Sequence, residues 1–217
     1  MSVSNNTPDL DLGELTRLTL LSYEICPMRG IAAFKNTAVP GFVDGAILSA
    51  PAVWARSTMP LTYRMALWVG VRIMPGFKPS PRGLGYQASD NIEMLRDNGR
   101  DPLFIKQTRI DAVYGLSNLM DEALARAGEV RTRTLYLYGA KDEIIPKVPT
   151  QEALMKMAGA NRRPQVAFYP EGWHMLLRDK QAETVLEDIV AFIDQPNTPL
   201  PSRADDQAIL RLQETTR

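Results

Sequence analysis

The chain has 217 residues but one histidine, His174, and one cysteine, Cys26. Zinc centres draw three or four ligands mostly from those two residue types, so the usual ligand sets are excluded. A lone cysteine forms no internal disulfide, in keeping with a reducing compartment. An excess of charge is lacking too: 25 Lys and Arg balance 25 Asp and Glu, which removes the electrostatic case for a nucleic acid or another polyanion. The most apolar stretch, Leu61 to Met74, has about two-thirds of the length a membrane-spanning helix needs and carries Arg64 and Arg72. Met1 to Asp9 offers neither a basic start nor an apolar run, so no secretory signal is read and a cytoplasmic location is expected. Finally, Gly-x-Ser-x-Gly, the turn that presents a catalytic serine between a strand and a helix, occurs nowhere.

What is present is enough to fill a core, since 45% of the residues are hydrophobic. Asp44 to Ser49, Thr134 to Tyr138 and Gln165 to Tyr169 are short apolar runs of the kind buried on both faces of a parallel sheet. Leu18 to Leu21 offers a further short strand, interrupted by Cys26-Pro27-Met28-Arg29-Gly30. From Trp54 to about Val130 the pattern is helical with Pro and Gly breaks, too long for a simple crossover, and is read as an inserted cap. A helix is expected from about Thr150 to Ala158. In the last long helix Val185, Ile189 and Phe192 share a face with Leu186 and Ile193, while Glu183, Glu187 and Asp188 look outward. Pro196, Pro199 and Pro201 follow, then a polar tail with a short helical stretch at Ala208 to Leu212.

Two side chains carry the chemistry. Asp142 follows the strand ending at Tyr138, and His174 follows the strand ending at Tyr169. Strand-end loops are where α/β enzymes keep their catalytic groups, and acid before base is the order of the last two members of a Ser…Asp…His triad. The plainer readings are a turn residue in Gly139-Ala140-Lys141-Asp142 and a satisfied core histidine beside Trp173. Ser22 and Cys26 stand near where a nucleophile belongs but lack flanking glycines; Ser49 is read as sheet packing and Ser117 as a helix-face residue.

Asp44 to Trp54, Tyr138 to Pro146 and Gly172 to Leu176 together resemble the carboxy-terminal half of α/β-hydrolases of the monoacylglycerol lipase and lysophospholipase type, the serine aminopeptidase S33 kind. Gly99 to Leu103 and Asp121 to Leu124 fit the same relatives, and the likeness runs from about Phe42 to Asp194. It implies a partial α/β-hydrolase fold, a parallel sheet flanked by helices with an inserted helical cap. Asp142 becomes the triad acid and His174 the base. Carboxylic ester hydrolysis needs no cofactor, because water completes the turnover. The family's oxyanion loop contains His-Gly, for which this chain has no second histidine. The expectation is therefore a shortened member that keeps acid and base without a recognisable nucleophile. The alternative is a non-catalytic remnant that binds an apolar ligand or a partner protein.

The resulting organisation is an atypical segment at 1–40, a hydrolase core at 41–53 and 130–195, a cap at 54–129 and a tail at 196–217. Tyr63, Met65, Leu67, Trp68, Val71, Ile73 and Met74 make a cap helix apolar nearly all round, which suits a lid over an acyl-chain pocket and equally a buried packing helix. Trp54, Met65 and Trp68 are the candidate substrate-binding residues. The expected ligand is a small apolar ester or lipid-like molecule, with peripheral membrane contact through the cap and self-association as further expectations.

Overall fold

The structure, a computed structural model, describes residues 45–79, 85–159 and 163–214, and residues 18–22 by their backbone. Four strands, β1 (Leu18–Ser22), β2 (Gly45–Ser49), β3 (Arg133–Gly139) and β4 (Gln165–Tyr169), pair in that order, all in parallel. The helices are α1 (Leu61–Ile73), α2 (Ile92–Arg100), α3 (Ile110–Arg126), α4 (Lys147–Ala158), α5 (Ala182–Asp194) and α6 (Ala208–Glu214). The open question at Leu18 is answered by β1, which pairs with β2 from Leu18 opposite Gly45 to Ser22 opposite Ser49. Cys26 lies outside the described residues.

Successive strand residues point to opposite faces, so an apolar run fills two cores at once. Leu48, Tyr136, Tyr138, Val166 and Phe168 pack on one face with Ala123 and Leu124 of α3, Leu154 and Met157 of α4, and Leu212 of α6. Ile47, Leu135, Leu137, Ala167 and Tyr169 pack on the other with Val185, Ile189 and Phe192 of α5. Truncating a fully buried ring such as Phe192 costs about 3–5 kcal/mol. The sheet is thus a rigid base for the loops at its carboxyl ends.

The structure corrects the outer face of the last helix. Asp188 does not look outward but is fully buried. Its carboxylate accepts from the Tyr169 hydroxyl at 2.8 Å, from the Ser202 amide at 3.0 Å and from the Ser202 hydroxyl. The chain beyond α5 folds back over it. Leu200 and Ala204 join the core beside α5, and the Ala204 carbonyl accepts from the Phe168 amide at 2.9 Å. The proline-marked segment after α5 therefore lies against β4, and Ala208 and Leu212 of α6 enter the opposite core. Leu186, expected on the packed face, is about half exposed.

The insertion between β2 and β3 contains α1, α2 and α3. Helix α2 starts at Asn91, whose side chain accepts from the Met94 amide at 3.2 Å. Helix α3 is fastened to the loop after β2, where the Arg56 amide donates to Asp121 at 2.7 Å and its guanidinium bonds the same carboxylate. Helix α1 crosses α3 where Gly70 meets Ile110: a Cβ on that glycine would lie 3.1 Å from the isoleucine side chain. No residue of α1 is buried. Of the two sequence readings of this helix, full burial by packing is the one the structure overturns: Leu67 and Val71 are half-buried, while Leu61, Tyr63, Met65, Trp68 and Ile73 are exposed.

Candidate active site

Because β3 and β4 are parallel neighbours, their carboxyl ends stand side by side and the loops that follow meet. The Tyr169 carbonyl accepts from the Ala140 amide at 2.9 Å and from the Gly172 amide at 3.0 Å, and the Gly172 carbonyl accepts from the Lys141 amide at 2.9 Å. This approach needs glycine at the end of β3. A Cβ on Gly139 would stand 2.5 Å from the Gly172 backbone.

The two loops bring together the pair expected from sequence. Asp142 Oδ2 lies 2.9 Å from His174 Nδ1, with the carboxylate side chain fully buried and the imidazole 11% exposed. The other carboxylate oxygen accepts from the amides of Ile144 at 2.8 Å and Ile145 at 2.9 Å, which fixes its orientation. A carboxylate on Nδ1 holds the tautomer with the proton there and leaves Nε2 as the acceptor. It also stabilises the imidazolium formed when Nε2 takes a proton. Nearby, burial pushes the phenols of Tyr136 and Tyr138 well above their ordinary values, and the charge of Asp142 adds to both effects. The Tyr138 hydroxyl donates to the Ile145 carbonyl at 2.9 Å, bracing the acid loop from below.

The other candidates lie on β1, on β2 and the loop after it, on α1 and on α3. Ser49 closes β2 and is buried, and the hydroxyl of Ser117, within α3, donates to the Val113 carbonyl at 3.0 Å, as a helix residue does. Ser22 is the last residue of β1. Trp54 is half-buried and meets Tyr63 edge-on at 6.3 Å. Trp68 and Met65 are exposed on α1, with the Arg72 guanidinium 3.8 Å above the Trp68 ring. No helix among the described residues is long and apolar enough to cross a membrane.

Sequence reasoning passed over Glu143, Ser89 and Asp179. Glu143 accepts from the Gln87 amide at 2.6 Å. Asp179 accepts from the Ser89 hydroxyl at 2.6 Å and the Trp173 amide at 2.8 Å. Burial raises the Asp179 carboxyl above its ordinary range. The one available signal was an acidic residue five positions beyond His174; its serine partner, 90 residues away, leaves no local trace.

A parallel sheet covered on both faces, a helical insertion after β2, and an acid and an imidazole paired on loops after neighbouring strands define the α/β-hydrolase class. The family described as serine aminopeptidase, S33 matches residues 30–181, well over half of the sequence, and the chain belongs to that family. Among solved structures, the monoacylglycerol lipase of Paleococcus ferrophilus aligns with a TM-score of 0.61 at 20% identity, over 76% of this chain and 64% of that one. A soluble variant of monoglyceride lipase from Saccharomyces cerevisiae, in complex with a substrate analogue, aligns with a TM-score of 0.59 at 14% identity, over 77% and 62%. The chain thus spans less than two thirds of the length of either lipase. At these identities the likeness is one of fold.

Proposed function

We propose that this chain carries the acid and the base of a carboxylic ester hydrolase of the monoacylglycerol lipase or lysophospholipase kind, Asp142 and His174, without a nucleophile elbow in its own sequence. The observation that carries the reading is the 2.9 Å contact between Asp142 Oδ2 and His174 Nδ1. In such a triad Nε2 takes the proton of the attacking hydroxyl and returns it to the leaving alcohol, while the carboxylate steadies the charged imidazole. Lacking Gly-x-Ser-x-Gly, this chain has base and acid but nothing recognisable for them to activate. Exposure to a serine-reactive phosphonate and to short acyl esters is the test. The expected result is no stoichiometric label and hydrolysis no faster than that of His174→Ala. Labelling of Ser22 or Cys26 would show that the nucleophile is present after all. Binding separates the ligand class: a non-hydrolysable monoacylglycerol ether should perturb the His174 resonances, and no change up to its solubility limit would refute a lipid-ester site.

A second reading, a non-catalytic binder of apolar ligands or surfaces, draws support from α1. Leu61, Met65, Trp68 and Ile73 are each more than half exposed, and Arg64 and Arg72 share the helix without an acidic residue. Such a face suits peripheral contact with a lipid surface. Met65→Gln with Ile73→Gln, which removes apolar surface and leaves the charge unchanged, should abolish sedimentation with anionic vesicles while leaving stability within about 0.5 kcal/mol, since neither side chain is buried. Unchanged sedimentation would exclude α1 as the contact.

A further inference from the structure

Residues 85–91 return from the cap along both loops of the acid–base pair. The Gln87 amide donates to Glu143 Oε2 at 2.6 Å, next to Asp142. The Ala88 carbonyl accepts from the Met175 amide at 2.9 Å, on one side of His174. On the other side, the Trp173 amide donates to Asp179 Oδ2 at 2.8 Å, and Asp179 Oδ1 accepts from the Ser89 hydroxyl at 2.6 Å. Ser89 is 0% exposed and Asp179 3%. Two outer bonds extend the seam: Asp90 accepts from the Lys180 amide at 2.8 Å, and the Asn91 side chain donates to the Arg178 carbonyl at 3.2 Å.

We propose that Ser89 and Asp179 are positioning residues for His174, coupling the segment that returns from the cap to the loop that aims the imidazole at Asp142. The inference rests on the reading of Asp142 and His174 as an acid–base pair. Residues 170–181 run in turns, with neither strand nor helix to fix them, and next to His174 they are held by the Met175 amide on the Ala88 carbonyl and by the Trp173 amide on Asp179. The Ser89 oxygen already accepts from the Asn91 amide at 3.1 Å, which leaves its one proton for Asp179. A hydroxyl donating to a buried carboxylate is among the stronger neutral-to-charged bonds. Removing it leaves Asp179 Oδ1 short of a buried donor, so the carboxylate turns and Trp173 loses its anchor. The peptide groups on both sides of His174 thereby answer to the position of residues 85–91.

The single histidine makes the test direct, because one imidazole supplies the whole signal. Nitrogen and proton NMR of the full chain, labelled at histidine, reads the tautomer and the bonded Nδ1 proton. The wild-type chain should show a protected Nδ1 proton that Asp142→Ala removes. Ser89→Ala and Asp179→Ala should each lose that signal, with the imidazole averaging between tautomers, while thermal unfolding stays cooperative. Asp179→Ala removes the acceptor of the Trp173 amide directly, so it carries the test if Ser89→Ala does not fold. An Nδ1 proton equally protected in wild type and in the folded variant would overturn the coupling alone. A wild-type spectrum already like that of Asp142→Ala would overturn the acid–base reading beneath it.

Discussion

Gly139 and Gly172 face each other across the ends of β3 and β4 with no room for a side chain between them: a Cβ on Gly139 would lie 2.5 Å from the Gly172 carbonyl carbon and oxygen, and 2.6 Å from the Trp173 carbonyl. Asp142 follows the first glycine by three residues, and His174 follows the second by two. The reach of the acid to the base therefore depends on how closely these two backbones pass.

Gly139→Ala should accordingly destabilise the fold by at least about 1–3 kcal/mol, the usual cost of overpacking, because the clash is with backbone. Gly172→Ala meets Leu176 Cδ2 at 2.5 Å, a side-chain end, but also Tyr169 Cβ at 2.9 Å, and should cost less. Urea denaturation of both variants gives the comparison. Equal stability of wild type and Gly139→Ala would mean that the loops do not approach as described.

Asp188 concentrates three donors, the Tyr169 hydroxyl, the Ser202 amide and the Ser202 hydroxyl. Asp188→Ala orphans all of them, each at roughly 1–3 kcal/mol if left without a partner. Tyr169→Phe removes one bond and leaves the carboxylate its two contacts with Ser202, so it should be the milder change. The opposite ranking in equilibrium unfolding would argue that the segment around Ser202 does not pack on α5.

The Asp179 carboxyl is raised chiefly by burial, with the Ser89 and Trp173 bonds opposing and the charge of Asp90 adding to the rise. A raised carboxyl means that the folded state holds the proton more tightly than the unfolded state. Its contribution to stability is greatest below the ordinary carboxylate value and is lost as pH climbs through the folded value. Asp179→Asn does not titrate there. The stability of wild type relative to this variant should therefore fall as pH rises from about 3 to 7, spanning the carboxylate range. Denaturation at a series of pH values checks the sign; a relative stability that rises over that interval contradicts it.

The buried phenols of Tyr136, Tyr138 and Tyr169 are all pushed upward, first by burial, with Asp142 adding to the first two and Asp188 to the third. Near pH 10, the ordinary phenol range, these three should remain protonated while the fold persists. Their ionisation, followed by ultraviolet absorbance, should coincide with loss of far-ultraviolet ellipticity. Complete phenolate formation in a chain with native ellipticity would show that the core is open.

Much of this is legible in the sequence. The runs at Gly45 to Ser49, Thr134 to Tyr138 and Gln165 to Tyr169 are apolar on both faces, and only a covered parallel sheet buries both. Asp142 and His174 were found from their places after consecutive strands. Strand β1 was ambiguous because five residues have too little periodicity to declare themselves; pairing with β2 decides it.

Asp188 was misplaced because helical periodicity assigns an angle around the axis, whereas burial depends on what later chain covers that angle, here the segment around Ser202. The exposure of α1 could not be read either. An apolar helix has the same sequence whether it is covered or bare, and its neighbours settle the matter. By itself, then, the sequence determined the strands, the two chemical groups and their order along the chain, because those follow from local pattern. Tertiary structure alone decided that Oδ2 meets Nδ1, that Gly139 admits Gly172, and that Ser89 reaches Asp179 across 90 positions. Each of these is a contact between segments distant in sequence: the pairing of β3 with β4 brings the first two together, and the packing of residues 85–91 on the loop after β4 the third, not any local preference.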